Sequence, residues 1–208
     1  MLSGIEQEAK SFNATAIFLH RNASDRERIC FYEQKGFIKE RIQMVKRIKK
    51  EERFCISNYV YKAIAEDVIE NLDIFASLYE ENVVAHSFME KFNYKDSIKK
   101  MNDLVNYLRQ EKAIVYYACE NGHIVGMVWA HPYENMSEKR MHISAVVVTK
   151  KYQSKAIGQQ LYQALYKEMQ EQKLEAVYTN VDAGNIPSLK FHYKQGFKEE
   201  LVQMTKVL

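Results

Sequence analysis

Hydrophobic positions along residues 58–208 switch between a period of two and a period near four, and each switch marks an element. Asn58–Ile64 alternates Tyr and Val with smaller or polar residues, which predicts a first strand. From Glu66 to about Met89, Val68, Leu72, Phe75 and Tyr79 recur at helical spacing, so an amphipathic helix with an acidic first turn is expected. A second helix is expected over Tyr94–Arg109, through Ile98, Met101, Val105 and Leu108. Ala113–Cys119 and Ile124–His131 are apolar strands, joined by a turn that holds Asn121-Gly122, a strong hairpin signal. Pro132 is expected to end the second of them, and Met141–Val148 makes a fourth strand. A helix from about Gly158 to Gln172 follows, with Leu161, Leu165 and Met169 on one stripe. The resulting order is strand, two helices, three strands, helix, strand, helix and extended tail, a mixed α/β sheet packed by helices.

The chain also resembles itself. Shifted by 160 positions, residues 1–48 align with 161–208 without a gap. Glu8/Glu168, Ala16/Ala176, Ala23/Ala183, Phe31/Phe191 and Gly36/Gly196 are identical, as are Phe37/Phe197, Glu40/Glu200, Gln43/Gln203, Met44/Met204 and Lys46/Lys206. Several mismatches stay apolar, among them Ile42/Val202 and Ile48/Leu208. Each copy reads as helix tail, short strand (AIFL; AVYT), polar turn, helix, Gly-Phe and an extended segment. The Gly suits the left-handed residue that ends a helix, and the Phe anchors the next strand in the core. The expected division is therefore 1–48 as a partial copy of the C-terminal half, 49–56 as a linker and 57–208 as a complete domain.

The join that carries chemistry is VVVTKKYQSKAIGQQLYQAL. A buried strand runs into a loop, Gln153-Ser154-Lys155-Ala156-Ile157-Gly158, that opens directly into a helix. The first amides of a helix lack an internal partner and carry its positive dipole end. With small residues that let a ligand approach, such a loop suits a pyrophosphate, and Lys155 adds a positive charge.

This segment resembles motif A of the GNAT superfamily of N-acetyltransferases: Gln153, Ala156 and Gly158 fill its pattern. Asn185, Ser188, Phe191 and His192, placed before Gly196-Phe197, are similar to motif B. The resemblance covers about residues 58–208, and residues 1–48 resemble motif B and the closing strands alone. It implies a GNAT-like mixed, mostly antiparallel sheet flanked by helices, and acetyl-CoA as cosubstrate with no metal. Backbone groups of Val146, Val147 and Val148 would then hold the pantetheine arm. The segment Gln153, Ser154, Lys155, Ala156, Ile157, Gly158 and Gln159 would hold the pyrophosphate, and Asn185 and Ser188 would approach CoA from the second side. A primary amine of a small molecule or peptide would attack directly in a ternary complex.

Two departures from the family pattern matter. Ala156 takes the place of the first motif A glycine. Where motif B usually has a Tyr that protonates the leaving thiolate, this chain has His192, followed by Tyr193, and either is a candidate acid. In the N-terminal copy Tyr32 holds that place, without a pyrophosphate loop. Candidates for the base are Glu134, His131 and His142. The acidic residues Glu66, Asp67, Glu70, Glu80 and Glu81 face either a cationic acceptor or, as a solvated face, water.

Composition narrows the classes. Thirty basic against 27 acidic side chains give a net charge of +3, too little for a nucleic-acid footprint. Residues 1–55 hold 12 Lys/Arg and 8 Asp/Glu, an excess concentrated in Lys46, Arg47, Lys49 and Lys50, which reads as a solvated linker. Cys30, Cys55 and Cys119 have no metal-ligand spacing and read as reduced thiols of a cytoplasmic protein. No apolar run reaches membrane length, so no membrane partner is expected. An N-terminal fragment with an exposed strand edge suggests a possible homodimer. The competing reading is a non-catalytic acyl-CoA-binding sensor or interaction module, motivated by the missing motif B Tyr.

Overall fold

Local chemistry and long-range pairing together set the elements of the computed structural model, which describes residues 2–86, 94–133 and 138–208. In chain order they are α1 Leu2–Ser11, β1 Ala16–Asn22, α2 Arg26–Gln34, β2 Ile38–Arg47, β3 Val60–Lys62, α3 Ala65–Glu70, α4 Leu72–His86 and α5 Tyr94–Arg109. There follow β4 Ile114–Glu120, β5 His123–Tyr133, β6 Arg140–Val148, α6 Ile157–Glu171, β7 Ala176–Asp182, α7 Ile186–Lys194 and β8 Lys198–Val207. The helix expected from Glu66 is two helices, because Asn71 breaks the run between α3 and α4. The last expected residues of that helix, 87–89, lie outside the described residues. β5 runs through Pro132, which pairs with Met141 beside the strand's end, where a missing N–H is tolerated.

The chain forms two compact units, residues 46–179 and residues 1–45 with 180–208. They cross the chain-order division read from the sequence, because β8 pairs on one side with β1 and on the other with β2.

In the larger unit β3, β4, β5 and β6 pair antiparallel in sequence, and β7 joins β6 in parallel. The β4–β5 hairpin turns through Asn121 and Gly122, both at positive φ (53° and 77°), as the dipeptide predicts. One face packs on α3, α4 and α5 through Val68, Phe75, Met101, Val115, Met127 and Trp129. Each such buried apolar side chain contributes roughly 1.5–3 kcal/mol. Tyr116, one residue on from Val115, points to the other face and bonds Glu168 of α6 at 2.8 Å. The expected linker is held down within this unit: Lys46 pairs with Glu52 at 3.0 Å, and the Gln170 amide donates to the carbonyls of Lys49, Lys50 and Glu52.

The smaller unit contains both copies of the Gly-Phe segment. The 160-residue offset carries β1, α2 and β2 onto β7, α7 and β8 with matching ends. Gly36 and Gly196 are both left-handed (φ 84° and 87°), and Phe37 and Phe197 are each 2% exposed. Pairing of β2 with β8 is reciprocal: Arg41 faces Gln203, and Gln43 faces Leu201. Ala23 donates to the Glu200 carbonyl at 3.0 Å, and Ala183 to that of Glu40 at 2.8 Å. Gln43 and Gln203 bond the Glu200 and Glu40 carboxylates at 2.7 and 2.9 Å.

Candidate functional site

The site is built at the end of β6. Its pairing with β7 runs only from Arg140–Ala176 to His142–Tyr178, so β6 continues to Val148 with one side paired to β5. Val146 and Val148 are half-buried on that stretch, whereas Val147 is a core residue at 9% exposure. Thr179 makes one further contact, its hydroxyl donating to the Ile143 carbonyl at 3.4 Å. The strand is bulged: Trp129 faces Ala145 but Ala130 faces Ile143, leaving Ser144 as the extra residue.

After Val148 the chain makes one turn of 3-10 helix, Lys150–Tyr152, and then the loop expected from the sequence. Gln153 donates its side-chain amide to the Val148 carbonyl at 3.0 Å. Ser154 and Ala156 are both left-handed (φ 68° and 61°). Backbone amides around such residues converge into an anion-binding concavity. Ala156 caps α6, and the helix's first bond runs from the Gln160 amide to the Ala156 carbonyl at 3.0 Å, so the amides of Ile157, Gly158 and Gln159 lie ahead of it. Gln153 to Ala156 are exposed, and Ile157 is buried as the helix's anchor. Lys155 lies over the Tyr152 ring at 4.8 Å and 3.7 Å from Glu120, a hairpin residue with no sequence signal for this role. These features place a strand–loop–helix turn, led by the first amides of α6, beside an opening strand edge.

On the α4 side of the same unit a cavity of about 270 Å³ is lined by Asp73, Ile74, Ser77, Leu78, Glu81 and Thr149, with Ile124. Of the acidic residues flagged on this helix, Glu81 lines it. Asp67 instead accepts the Ile64 amide at 2.8 Å, and Glu66 lies 3.6 Å from Arg109.

His131 and His142 stand side by side on β5 and β6, and Glu134 lies outside the described residues. Burial lowers the affinity of His131 for a proton. Burial and the neighbouring His131 lower that of His142 to about 4. Tyr178, next in the row, is pushed up to about 12 by burial and by Tyr133.

The motif B residues sit in the smaller unit. Asn185 caps α7, accepting the Ser188 amide at 3.1 Å, and Pro187 fills the first turn. His192 is 1% exposed, its Nδ1 donates to the Ser188 carbonyl at 2.7 Å, and its ring meets Phe197 edge-on at 5.2 Å. That is the environment of a packed helix-face residue. Tyr193 is 46% exposed and donates to the Glu199 carboxylate, which together with burial pushes the phenol up to about 12. In the N-terminal copy Asp25 caps α2 in the place of Asn185, and the Tyr32 hydroxyl accepts from Arg21.

The Acetyltransferase (GNAT) family matches residues 75–197, and the chain belongs to that family. No curated protein matches it. Among solved structures, a GCN5-related N-acetyltransferase from Sphaerobacter thermophilus aligns with a TM-score of 0.61 at 16% identity over 92% of this chain. The chain spans 59% of that protein's length. The PaiA N-acetyltransferase of Thermoplasma acidophilum, in complex with coenzyme A, aligns with a TM-score of 0.55 at 16% identity, covering 72% of this chain and 98% of that one. An aminoglycoside acetyltransferase from an uncultured soil metagenomic sample, in complex with trehalose, gives a TM-score of 0.52 at 19% identity, covering 67% and 89%. At these identities the likeness is one of fold.

Proposed function

We propose that the chain moves an acetyl group from acetyl-CoA to a primary amine by direct attack in a ternary complex. The observation that carries this reading is the pair of left-handed residues, Ser154 and Ala156, at the head of α6 and at the end of β6. Their amides and the helix dipole suit a pyrophosphate, and Lys155 adds charge. The side of β6 beyond His142 suits the extended pantetheine arm, by hydrogen bonding as an added strand. Residues and cosubstrate therefore fit. In the reaction the amine nitrogen bonds to the acetyl carbon, the C–S bond breaks, sulfur takes the electron pair, and one proton passes from nitrogen to the CoA thiol. Holding amine and thioester together supplies much of the rate.

The acceptor is read as a small molecule, in keeping with the aminoglycoside acetyltransferase complexes among the structural neighbours, one of them with sisomicin. A peptide amine is the other candidate. Residues 1–48 are read as a partial copy of the C-terminal half, on the strength of the matching element ends at the 160-residue offset.

Thiol release from acetyl-CoA in the presence of a panel of amines tests the function. Release with at least one amine is expected. Binding of acetyl-CoA with no turnover on any amine would sink the enzyme reading. It would favour a non-catalytic acyl-CoA sensor, which the burial of His192 already recommends as the second reading.

A further inference from the structure

His131 of β5, His142 of β6 and Tyr178 of β7 form one cross-strand row, His131 opposite His142 and His142 opposite Tyr178. Their rings touch, at 5.0 Å edge-on between the two imidazoles and 4.7 Å between His142 and Tyr178. The row's face follows from alternation. His131 is two residues beyond Trp129, so it shares the face that packs on α3–α5. The bulge at Ser144 shifts β6 by one residue and brings His142 onto the face of Ala145 and Val147. Without that bulge His142 would point to the α6 side. The row is also where β6–β7 pairing stops, at the head of the strand edge assigned to the pantetheine arm.

The two imidazoles differ in their partners. Ser144 Oγ lies 2.9 Å from His131 Nδ1 and fixes that ring. His142 is half-buried and has ring contacts but no hydrogen-bond partner among the described residues. Trp129, on the same face, keeps a buried indole N–H that is also unpartnered among them. A buried indole N–H without a partner is costly unless a ligand meets it.

We propose that His131 and His142 act together as the proton acceptor for the acetylated amine, with His142 meeting the substrate N–H. This rests on the acetyltransferase reading above. As the C–N bond forms, the nitrogen becomes cationic and acidic. Its proton passes to the neutral His142 while the C–S bond breaks and sulfur takes the electron pair. The imidazolium then returns the proton to solvent, and the departing thiolate takes one from solvent. His131 is a positioning residue that orients His142 and admits one proton to the pair at a time. Among the described residues, the groups facing the pair are each other, Ser144, Tyr178 and, beyond it, Tyr133. Arg140 acts on Tyr178 and is itself paired with Glu138 at 2.7 Å. Burial keeps both imidazoles neutral at pH 7, which is the state a base needs.

The test uses the full chain, its His131→Gln and His142→Gln variants, and two readouts. General-base loss predicts kcat at pH 7 lower by about 100-fold in His142→Gln, with KM for acetyl-CoA within twofold of wild type. Imidazole NMR titration of the wild type should show both midpoints below the ordinary histidine value, and His131→Gln should raise the His142 midpoint. An active wild type whose two variants keep kcat within threefold, or a His142 midpoint that does not move in His131→Gln, overturns the pair alone. A wild type that binds acetyl-CoA and turns over no amine removes the acetyltransferase reading and the pair with it.

Discussion

Gln153 reaches back 3.0 Å to the carbonyl of Val148, so the head of the loop is tied to the last residue of the strand that precedes it. The bond fixes where the loop's amides point without using any of them. A neutral hydrogen bond of this kind contributes about 1 kcal/mol, roughly a fivefold change in an equilibrium constant. Gln153→Ala should weaken acetyl-CoA binding by up to about fivefold in calorimetry and lower the melting temperature by no more than roughly 2–4 °C. Unchanged affinity would mean that the loop is held by other means.

Glu120 competes for the one cationic side chain of the loop. Its carboxylate lies 3.7 Å from Lys155; the lysine is exposed and Glu120 is half-buried. Glu120→Gln frees Lys155 for an anionic ligand, so acetyl-CoA should bind about threefold tighter at low ionic strength. Salt screens exposed charges, so the gain should vanish near 1 M salt. A gain that survives high salt would point to a packing change instead.

Ala156 holds φ 61° and ψ 7°, a conformation in which an L-residue is strained and glycine is not. Ala156→Gly should stabilise the protein by about 1 kcal/mol, the relief of strain less the extra unfolded freedom of glycine. For a chain of this size that is a rise of roughly 2–4 °C, read by thermal unfolding. A fall in melting temperature would show that the alanine methyl is packed.

Glu168 links stability to pH. Burial raises its carboxyl, but hydrogen bonds from Lys62, Tyr116 and Gln172, at 2.8, 2.8 and 2.9 Å, outweigh burial and hold it below the ordinary glutamate value. A depressed carboxyl stabilises the fold above its unfolded pKa of about 4.3, and that contribution is lost as pH falls through the folded value. Glu168→Gln should therefore be destabilised relative to wild type at pH 7, and the difference should shrink towards pH 3 in denaturant unfolding. An equal difference at both pH values would contradict the linkage.

Features with a local cause were legible in the sequence. Asn121-Gly122 turns the hairpin because both residues accept positive φ, and Gly36 and Gly196 end helices for the same reason. The loop from Gln153 to Gly158 follows a buried strand and opens a helix, as its small residues and the apolar stripe of α6 imply. Features set by distant partners were not. The Ser144 bulge exists in the register between β5 and β6, and it alone decides which face His142 takes. The position of β8 between β1 and β2 comes from pairing across 153 to 191 residues, which no local signal in the sequence announces. His192 reads as a candidate acid from motif spacing, but its burial against Phe197 depends on how α7 packs in the smaller unit. Asn71, which splits α3 from α4, carries no stronger break signal than other polar residues in the run.

The central claim is that the head of α6 binds the pyrophosphate of acetyl-CoA. Calorimetric titration of acetyl-CoA into the wild type and into Gly158→Asp tests it most directly. An acidic residue in the first turn suits the helix dipole, so the fold should be kept while a phosphate is repelled. Wild-type binding in the micromolar range, lost by at least about 100-fold in Gly158→Asp at an unchanged melting temperature, is the predicted result. Equal binding by the two proteins, or no binding by the wild type, would contradict it.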